Sequence, residues 1–287
     1  MIRPDVEIFE ASPRDGLQNE ARMIPAADKI ALIDMLSRTG IRRIEAASFV
    51  SPRWVPQMGD GAAVMAGIAR APGVSYAALT PNMKGYEGAK AARMDEISVF
   101  AAASEGFSAK NINATIAESL ARFAPVMAAA KADGIPVRGY ISCVTDCPYD
   151  GKVAPGVVAR LARDLLAMGC FDISLGDTIG AATPESTDAM LAAVLEEAPP
   201  ELLAGHFHDT GGRALENIAV ALDRGLRMFD ACAGGLGGCP FAPGAKGNVA
   251  TEAVAAMLHA RGLSTGIDLG ALAAAAAFAR SLREPLI

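Results

Sequence analysis

The stretch GCFDISLGDTIGAATPESTDAMLAAVLEEAPPELLAGHFHDT, residues 169–210, decides the fold because it contains a complete strand–helix–strand unit. Its two apolar runs, Phe171–Gly176 and Leu203–Asp209, are short, as buried parallel strands are. Between them, Thr183-Pro184-Glu185 is typical of a helix start, and Pro199-Pro200 stops the helix. Parallel neighbouring strands are joined by such helical crossovers, so this stretch predicts a βαβ unit.

The same alternation extends along the rest of the chain. Six more strands are predicted, at Val6–Ser12, Ile41–Ser48, Ser75–Thr80, Glu96–Ala103, Pro136–Cys143 and Met228–Ala233. Helix signals lie between them: Pro25 precedes a helix that Gly40 follows, and Asn113 is expected to cap a helix over Ala114–Asp133.

Eight strands, each followed by a helix, favour an α/β fold. The expected architecture is a single (β/α)8 TIM barrel with an additional C-terminal helix from Asp268 to Arg283. A doubly wound open sheet is the alternative. That fold would carry G-x-G-x-x-G after its first strand, where this chain has SPRDGLQNE.

The composition limits the number of domains that the chain can form and the classes of partner that it can bind. The chain has 287 residues and is 52% hydrophobic, and α/β barrels often fill about 250 residues as one domain. We therefore expect residues 1–287 to form one catalytic domain. The net charge of −6 disfavours nucleic acid or an anionic membrane as a partner. Scattered cysteines, an N-terminus without a targeting segment and short apolar runs favour a cytoplasmic protein with reduced thiols.

Two of the chain's three histidines lie in the seventh predicted strand, as His206-x-His208. Residues i and i+2 of a strand point to the same face, so both imidazoles could reach one metal ion. From this pair alone, a metal site and a pair of packed histidines both remain open. Asp15 follows the first strand, which in a closed barrel is separated from the seventh only by the eighth. Together with the amide oxygen of Asn248, this oxygen and nitrogen set suits Mg²⁺ or Mn²⁺ better than a structural zinc.

Other polar residues lie in or just after predicted strands, near the end of the barrel that carries the chemistry in this architecture. These residues are Arg14, Gln18, Glu45 and Asp177. Arg14 would stabilise the charge of an enolate or carboxylate beside a metal ion, and the alternative is a salt bridge at the rim. Lys110 and Asn111, after the fourth strand, could meet a phosphate or an adenine, or could simply start a helix.

The segment GGLGGCPFAPGAKGNVATE, residues 234–252, holds six glycines and two prolines around one cysteine. A glycine-rich loop after a barrel strand is typical of a mobile active-site lid. We expect closure of this lid to deliver Cys239 to the site; a buried structural thiol is the alternative. Asn248, at the end of the loop, could also cap the following helix.

These motifs resemble the 3-hydroxy-3-methylglutaryl-CoA lyase family of the DRE-TIM metallolyase superfamily. The matching stretches run in order over nearly the whole chain: SPRDGLQNE, EAASFVSPRWVPQMGD, LTPNMKGYE, AAASEGFSAKNIN, RGYISCVTDCPYDGK, ISLGDTIG, HFHDT and GGLGGCPFAPGAKGNVATE. The resemblance implies a metal-dependent retro-Claisen cleavage of an acyl-CoA thioester. The implied products are acetyl-CoA and acetoacetate.

The resemblance also implies roles for individual residues. The implied metal ligands, for Mg²⁺ or Mn²⁺, are Asp15, His206, His208 and Asn248. The implied catalytic and supporting residues are Arg14, Cys239, His206, Asp177, Glu45 and Gln18. Among these, Arg14 stabilises charge, His206 is also linked to acid–base work, and Cys239 is the lid thiol. Lys110 and Asn111 are the expected coenzyme A contacts, and a homodimer is expected only because dimers are common among soluble enzymes.

Several positions depart from the family pattern, among them Ser12, Gly211, Arg213 and the run Ala231–Gly234. Gly211 stands where a tyrosine is expected, and Ala231 and Ala233 replace a serine and a valine. Smaller side chains leave open a substrate with a longer 3-alkyl group, or a citramalyl-type thioester. A Claisen-condensing acyltransferase and a non-catalytic binding barrel are further alternatives, which the intact metal and acid–base residues and the GLGGCP loop disfavour.

Overall fold

A parallel barrel forms the centre of the structure, a computed structural model that describes residues 4–239 and 242–283, without the side chains of 238, 239 and 242–246. Within this part of the chain, eight strands close into a ring in which each strand pairs with its sequence neighbours. The strands are β1 Glu7–Glu10, β2 Arg43–Ser48, β3 Ser75–Leu79, β4 Glu96–Ala102, β5 Val137–Ser142, β6 Asp172–Asp177, β7 Leu203–Phe207 and β8 Met228–Ala231. The predicted TIM barrel is confirmed, with all strand ends within two residues of those expected.

Helices follow the strands and cover the barrel. Within the described residues they are α1 Ala26–Leu36, α2 Gly61–Gly67, α3 Met83–Ala91, α4 Glu105–Ile112, α5 Ile116–Asp133, α6 Pro155–Met168, α7 Pro184–Val194, α8 Ala214–Asp223, α9 Thr251–Ala260 and α10 Leu269–Ser281. The expected C-terminal helix is α10, which packs against α1 and α9. None of the helices in the described ranges is long and apolar enough to cross a membrane. That residues 1–287 form one domain stays a prediction.

One predicted helix start is wrong. Asn113 does not cap α5; it ends α4 in the left-handed region, with φ 49°. The cap is Thr115, whose hydroxyl accepts from the Glu118 backbone N–H while the Glu118 carboxylate accepts from the Thr115 N–H. The Ser104 hydroxyl starts the extra helix α4 by accepting from the Phe107 N–H, so two capped helices occupy the segment where the sequence predicted a loop and one helix.

Buried charges fill the amino-terminal half of the barrel interior. Arg43 pairs with Glu96 and Asp172, each at 2.8 Å. Arg138, which is fully buried, pairs with Asp172 at 3.1 Å and with Asp230 at 2.5 Å. The pairs form a continuous network from the amino-terminal end of the barrel towards its mouth. Each of these buried charges lies beside an opposite charge, and an unpaired one would destabilise the fold strongly.

Candidate active site and metal centre

A π-helical turn over Ser12–Gly16 brings the first two candidate residues to the barrel mouth. It directly follows β1, and the Gly16 N–H donates back to the Ala11 carbonyl at 3.1 Å. Turns of this wide type are rare and frequent at functional sites. Within the turn, Arg14 Nη1 donates to Asp15 Oδ1 at 2.7 Å.

Arg14 is held in a single orientation by Glu45 of β2. Its Nε and Nη2 lie 2.7 and 2.6 Å from Glu45 Oε2, and its guanidinium lies over the Tyr140 ring, 5.7 Å from the centroid. Burial raises the pKa of Glu45, although the charge of Arg14 opposes the shift. The salt bridge of Arg14 is therefore a buried one that fixes its guanidinium, and its role as a charge stabiliser stays a prediction.

Asp15, His206 and His208 form a cluster whose potential ligand atoms all lie within 4.8 Å of one another. His206 Nε2 is 4.0 Å from Asp15 Oδ2, and the two imidazole centroids are 5.4 Å apart. Among the described residues, the buried His208 Nδ1 has no hydrogen-bond partner. An orphaned buried nitrogen beside a carboxylate is what a metal site presents without its ion, so the donor set fits a divalent cation.

The charge states of the cluster suit ligation as well. Burial alone would raise the pKa of Asp15, but the charges of Arg14 and the two histidines outweigh it and hold that pKa well below its usual range. Burial, helped by His206, lowers the pKa of His208 to about 4. At neutral pH, Asp15 is therefore a carboxylate and His208 a neutral imidazole, the forms that bind metals.

Asn248 joins this cluster through backbone pairing with the end of β7. The Asp209 N–H donates to Gly247 at 2.7 Å and the Val249 N–H to Phe207 at 3.1 Å. As a result, Asn248 Nδ2 donates to Asp15 Oδ2 at 2.7 Å. The suggestion that Asn248 caps α9 is wrong, because the N-cap position is Ala250, without a side-chain bond.

Two acidic residues of the site region were missed by sequence reasoning. Asp230 of β8 lies opposite His206 in the strand register, and its Oδ2 is 3.1 Å from His206 Nδ1. Glu10 of β1 accepts hydrogen bonds from the Ala233 N–H and the Thr251 hydroxyl, which ties β1 to the base of the lid. For Asp230 the available signal was a single carboxylate in the otherwise apolar strand Met228–Ala231, since such a group needs a buried partner.

The sequence model of the HMGL-like family matches residues 5–279. The chain belongs to the HMGL-like family. Among curated relatives, the mitochondrial hydroxymethylglutaryl-CoA lyase of Gallus gallus is 58% identical over 92% of this chain and 89% of its own. A 3-hydroxy-3-isohexenylglutaryl-CoA/hydroxymethylglutaryl-CoA lyase of Pseudomonas aeruginosa is 55% identical, over 93% and 89% of the two chains. The solved HMG-CoA lyase of Brucella melitensis superposes with a TM-score of 0.97 at 61% identity, covering 98% of this chain and 100% of that one.

The lid of this HMGL-like protein begins at a tightly packed base. Leu236 is fully buried, and a Cβ on Gly16 would lie 2.8 Å from the Leu236 Cβ, so the π-helical turn and the lid base are in close contact. Beyond it, the backbone of Gly238–Cys239 pairs antiparallel with Ala242–Lys246. The Cys239 side chain lies outside the described residues, so its role as the lid thiol stays a prediction.

We expect the substitution Gly237→Ala to displace Asn248. Gly237 has φ +94°, and an added Cβ would lie 2.8 Å from Asn248 Nδ2. The left-handed backbone alone should cost about 1–2 kcal/mol, and the contact should add a loss of metal affinity. Gly212→Ala is the matched control, because Gly212 has φ +71° with nothing within 4 Å of an added Cβ. Equal Mn²⁺ affinities of the two variants by calorimetry would contradict the predicted displacement.

Asp177, at the end of β6, is oriented by its own loop. Its two carboxylate oxygens accept from the N–H groups of Ala181 and Ala182, each at 3.1 Å. Burial raises its pKa to about 6, despite these hydrogen bonds. The observed contacts anchor the loop after β6, and the supporting catalytic role of Asp177 stays a prediction.

The raised pKa of Asp177 predicts a pH-dependent stability. Between its unfolded value of about 3.9 and about 6, the folded state binds more protons, so its contribution to the free energy of unfolding falls as pH rises. The stability of the wild type relative to Asp177→Asn should decrease by about 2–3 kcal/mol across this window and stay constant above it. Urea denaturation of both proteins in EDTA at a series of pH values measures this difference, in which other titrating groups cancel. A flat difference would contradict the prediction.

The remaining predicted residues, Gln18, Lys110 and Asn111, are partly or largely exposed. Gln18 is partly exposed, two residues beyond the π-helical turn. Lys110 and Asn111 are exposed in the last turn of α4. That segment was expected to be a loop, but it is helical because Ser104 caps it. Coenzyme A contact by Lys110 and Asn111 stays a prediction.

Proposed function

We propose that this protein is a divalent-metal-dependent lyase that cleaves 3-hydroxy-3-methylglutaryl-CoA to acetyl-CoA and acetoacetate. The observation that carries the proposal is the convergence of Asp15, His206 and His208 within 4.8 Å, directly beside the fixed guanidinium of Arg14. Relatives named hydroxymethylglutaryl-CoA lyase, at 53–58% identity over more than nine-tenths of this chain, support it.

The proposed metal ligands are Asp15, His206, His208 and Asn248. When bound, Mg²⁺ or Mn²⁺ would polarise the substrate's 3-hydroxyl group and a neighbouring oxygen, which lowers the hydroxyl pKa. Asn248 would contribute its amide oxygen, a hard ligand that suits these cations. The mixed oxygen and nitrogen set supports a catalytic site with open positions for substrate over a closed structural zinc.

Arg14 is proposed to stabilise the enolate of the departing acetyl-CoA. Of the five N–H donors of a guanidinium, the contacts with Glu45 and Asp15 account for three. Donors held at the site before the reaction stabilise developing negative charge without reorganisation. Glu45 supports this role because it fixes the orientation of the donors.

Proton transfer is proposed to involve His206, Asp177 and Cys239. His206 turns Nδ1 towards Asp230 and so presents Nε2 to the side of Asp15, where the substrate hydroxyl would bind. Because the lone pair of Nε2 would hold the metal ion, His206 would orient the hydroxyl. We propose the buried Asp177, whose pKa burial raises to about 6, as the base that accepts the hydroxyl proton as the carbon–carbon bond breaks. The lid would bring Cys239 to the opposite task, protonation of the enolate carbon, and lid closure would exclude water from the carbanion.

A longer 3-alkyl substrate is the second candidate, and one observation favours it. The Pseudomonas aeruginosa relative is named for both isohexenyl and methyl substrates. In this chain, however, Ala231 and Ala233 are fully buried, so any room left by their small side chains lies within packed protein. Gly211 is exposed, and a larger residue would be sterically hindered there because an added Cβ would lie 2.8 Å from the Gly180 carbonyl oxygen.

A substrate panel tests the proposal. Purified protein with Mg²⁺ or Mn²⁺ is supplied with methyl, longer 3-alkyl and citramalyl-type thioesters, and products are identified by mass. Acetyl-CoA from the methyl thioester is expected to form fastest. Failure to form acetyl-CoA from any thioester would overturn the lyase proposal, and free CoA released from acetyl-CoA with a 2-oxo acid would indicate a condensing acyltransferase.

Location and assembly are also proposed. We infer a cytoplasmic enzyme without nucleic-acid or membrane partners; the curated relatives include cytoplasmic as well as mitochondrial forms. A homodimer is our proposal for the assembly, because twofold dimers are the commonest soluble oligomers. Light scattering of the purified protein measures this directly.

A further inference from the structure

The hydrogen bond between His206 and Asp230 determines which nitrogen of His206 faces the cluster. His206 Nδ1 is 3.1 Å from Asp230 Oδ2, and Asp230 is 1% exposed. An ionised carboxylate can only accept, so Nδ1 must carry the hydrogen. The lone pair of the neutral ring is then on Nε2, the nitrogen that lies 4.0 Å from Asp15.

Asp230 itself is held by two further donors. Arg138 Nη2 donates to its Oδ1 at 2.5 Å, and the Ser174 hydroxyl donates to its Oδ2 at 2.6 Å. Arg138 is fully buried, with its guanidinium 4.2 Å from the Phe9 ring centroid and 5.4 Å from that of Tyr140. Neither Asp230 nor Arg138 has room to turn, so the acceptor that faces His206 is rigidly placed.

The support extends to the opposite end of the barrel. Arg138 also contacts Asp172, which contacts Arg43, which contacts Glu96. The orientation of His206 is therefore anchored in the packed interior, away from the lid and the solvent.

We infer that Asp230 is a positioning residue that sets the tautomer and ring orientation of His206, and through them the metal affinity of the site. The inference rests on the proposed metal-binding role of His206. Carboxylates behind metal-ligating histidines typically change metal affinity by about 10–100-fold when they are removed.

Asp230→Asn separates this role from a purely structural one. Arg138 is only a donor, so the new amide must turn its oxygen towards Arg138. Its NH₂ group then faces His206 Nδ1, which has to accept. The hydrogen of the neutral ring moves to Nε2, and the nitrogen facing Asp15 loses the lone pair that a metal needs.

Asp172→Asn is the matched control. Asp172 is buried and shares Arg138 with Asp230, but within the described part of the chain its Oδ2 contacts arginines and no histidine. Both variants remove one buried negative charge beside Arg138, so both should lose stability. Only Asp230→Asn should change the histidine.

Nitrogen-15 NMR of the three imidazoles, without metal and at a pH high enough that the His206 signals no longer change with pH, reads the tautomer directly. Burial lowers the pKa of His206, but the hydrogen bond and charge of Asp230 raise it overall. His208→Ala and His259→Ala assign the signals. We expect Nδ1–H for His206 in the wild type and in Asp172→Asn, and Nε2–H in Asp230→Asn. The wild-type spectrum decides the first step even if a variant does not fold: an Nε2–H form there would overturn the inference.

Mn²⁺ titration by calorimetry tests the second step. Asp230→Asn should raise the Kd for Mn²⁺ by about 10–100-fold, and Asp172→Asn by less than about threefold. Equal Kd values for the two variants, or no Mn²⁺ binding to the wild type, would overturn the inference. If both readouts change as expected but no thioester is cleaved, the lyase proposal fails and the role of Asp230 stands.

Discussion

Replacing Arg14 by glutamine is expected to lower kcat for cleavage of 3-hydroxy-3-methylglutaryl-CoA by about 10³-fold. The guanidinium lies at the barrel mouth, fixed by Glu45 and Asp15 at 2.6–2.7 Å. The neutral amide of glutamine cannot supply a full positive charge where the enolate forms. Lysine would not substitute either, because it has no planar fork to match Glu45.

The matched comparison for Arg14→Gln is the double variant Arg14→Gln/Glu45→Gln. The single variant leaves the fully buried Glu45 without its cation, which should cost about 3–5 kcal/mol of stability. The double variant removes that unpaired charge and should recover most of the stability without recovering activity. Steady-state kinetics and urea denaturation measure the two effects separately. Wild-type turnover in the double variant would exclude Arg14 from the chemistry.

Replacing His208 by alanine is expected to abolish measurable Mg²⁺ or Mn²⁺ binding and to reduce turnover accordingly. A direct ligand should matter more than the about 10–100-fold typical of outer-shell contacts. The free energy of unfolding of the metal-free protein should change by less than about 2 kcal/mol, because His208 Nδ1 has no hydrogen-bond partner among the described residues. Calorimetry and the metal-dependent increase in Tm measure the loss.

His259→Ala is the control for that experiment. His259 is the third histidine, and its Nε2 contacts Thr265 Oγ1 at 2.8 Å, outside the cluster. It should keep the Tm increase that metal produces in the wild type. If His208→Ala also keeps it, the metal does not bind at this cluster.

Much of the fold was predictable because its signals are local. Apolar runs of strand length, with proline and glycine at the helix boundaries, gave all eight barrel strands. The wrong helix start lies in a segment where two helix caps stand close together in the sequence. Around Asn113, the capping residues Ser104 and Thr115 start separate helices, and the pattern between them did not show the break.

The candidate site was predictable only for residues adjacent to one another in sequence or carried by a distinctive motif. His206 and His208 share a strand face, and Arg14 and Asp15 are neighbours. Asp230 and Glu10 were missed because their partners lie on other strands, and a single sequence holds no record of such pairing. The position of the Asn248 amide also depends on pairing between distant segments, because His208, just after β7, pairs with Asn248 after the lid.

Glu10 has a consequence for how the chain reaches its native state. Its carboxylate contacts Ala233 and Thr251, which are 223 and 241 residues away in sequence, and Asp15 meets Asn248 over 233 residues. Closing loops of this length costs chain entropy that only the completed ring repays, so ring closure comes late in folding. A nascent chain cannot assemble the proposed ligand set before Asn248 has been synthesised. We therefore expect the newly synthesised protein to bind a divalent ion only after residue 248 has left the ribosome.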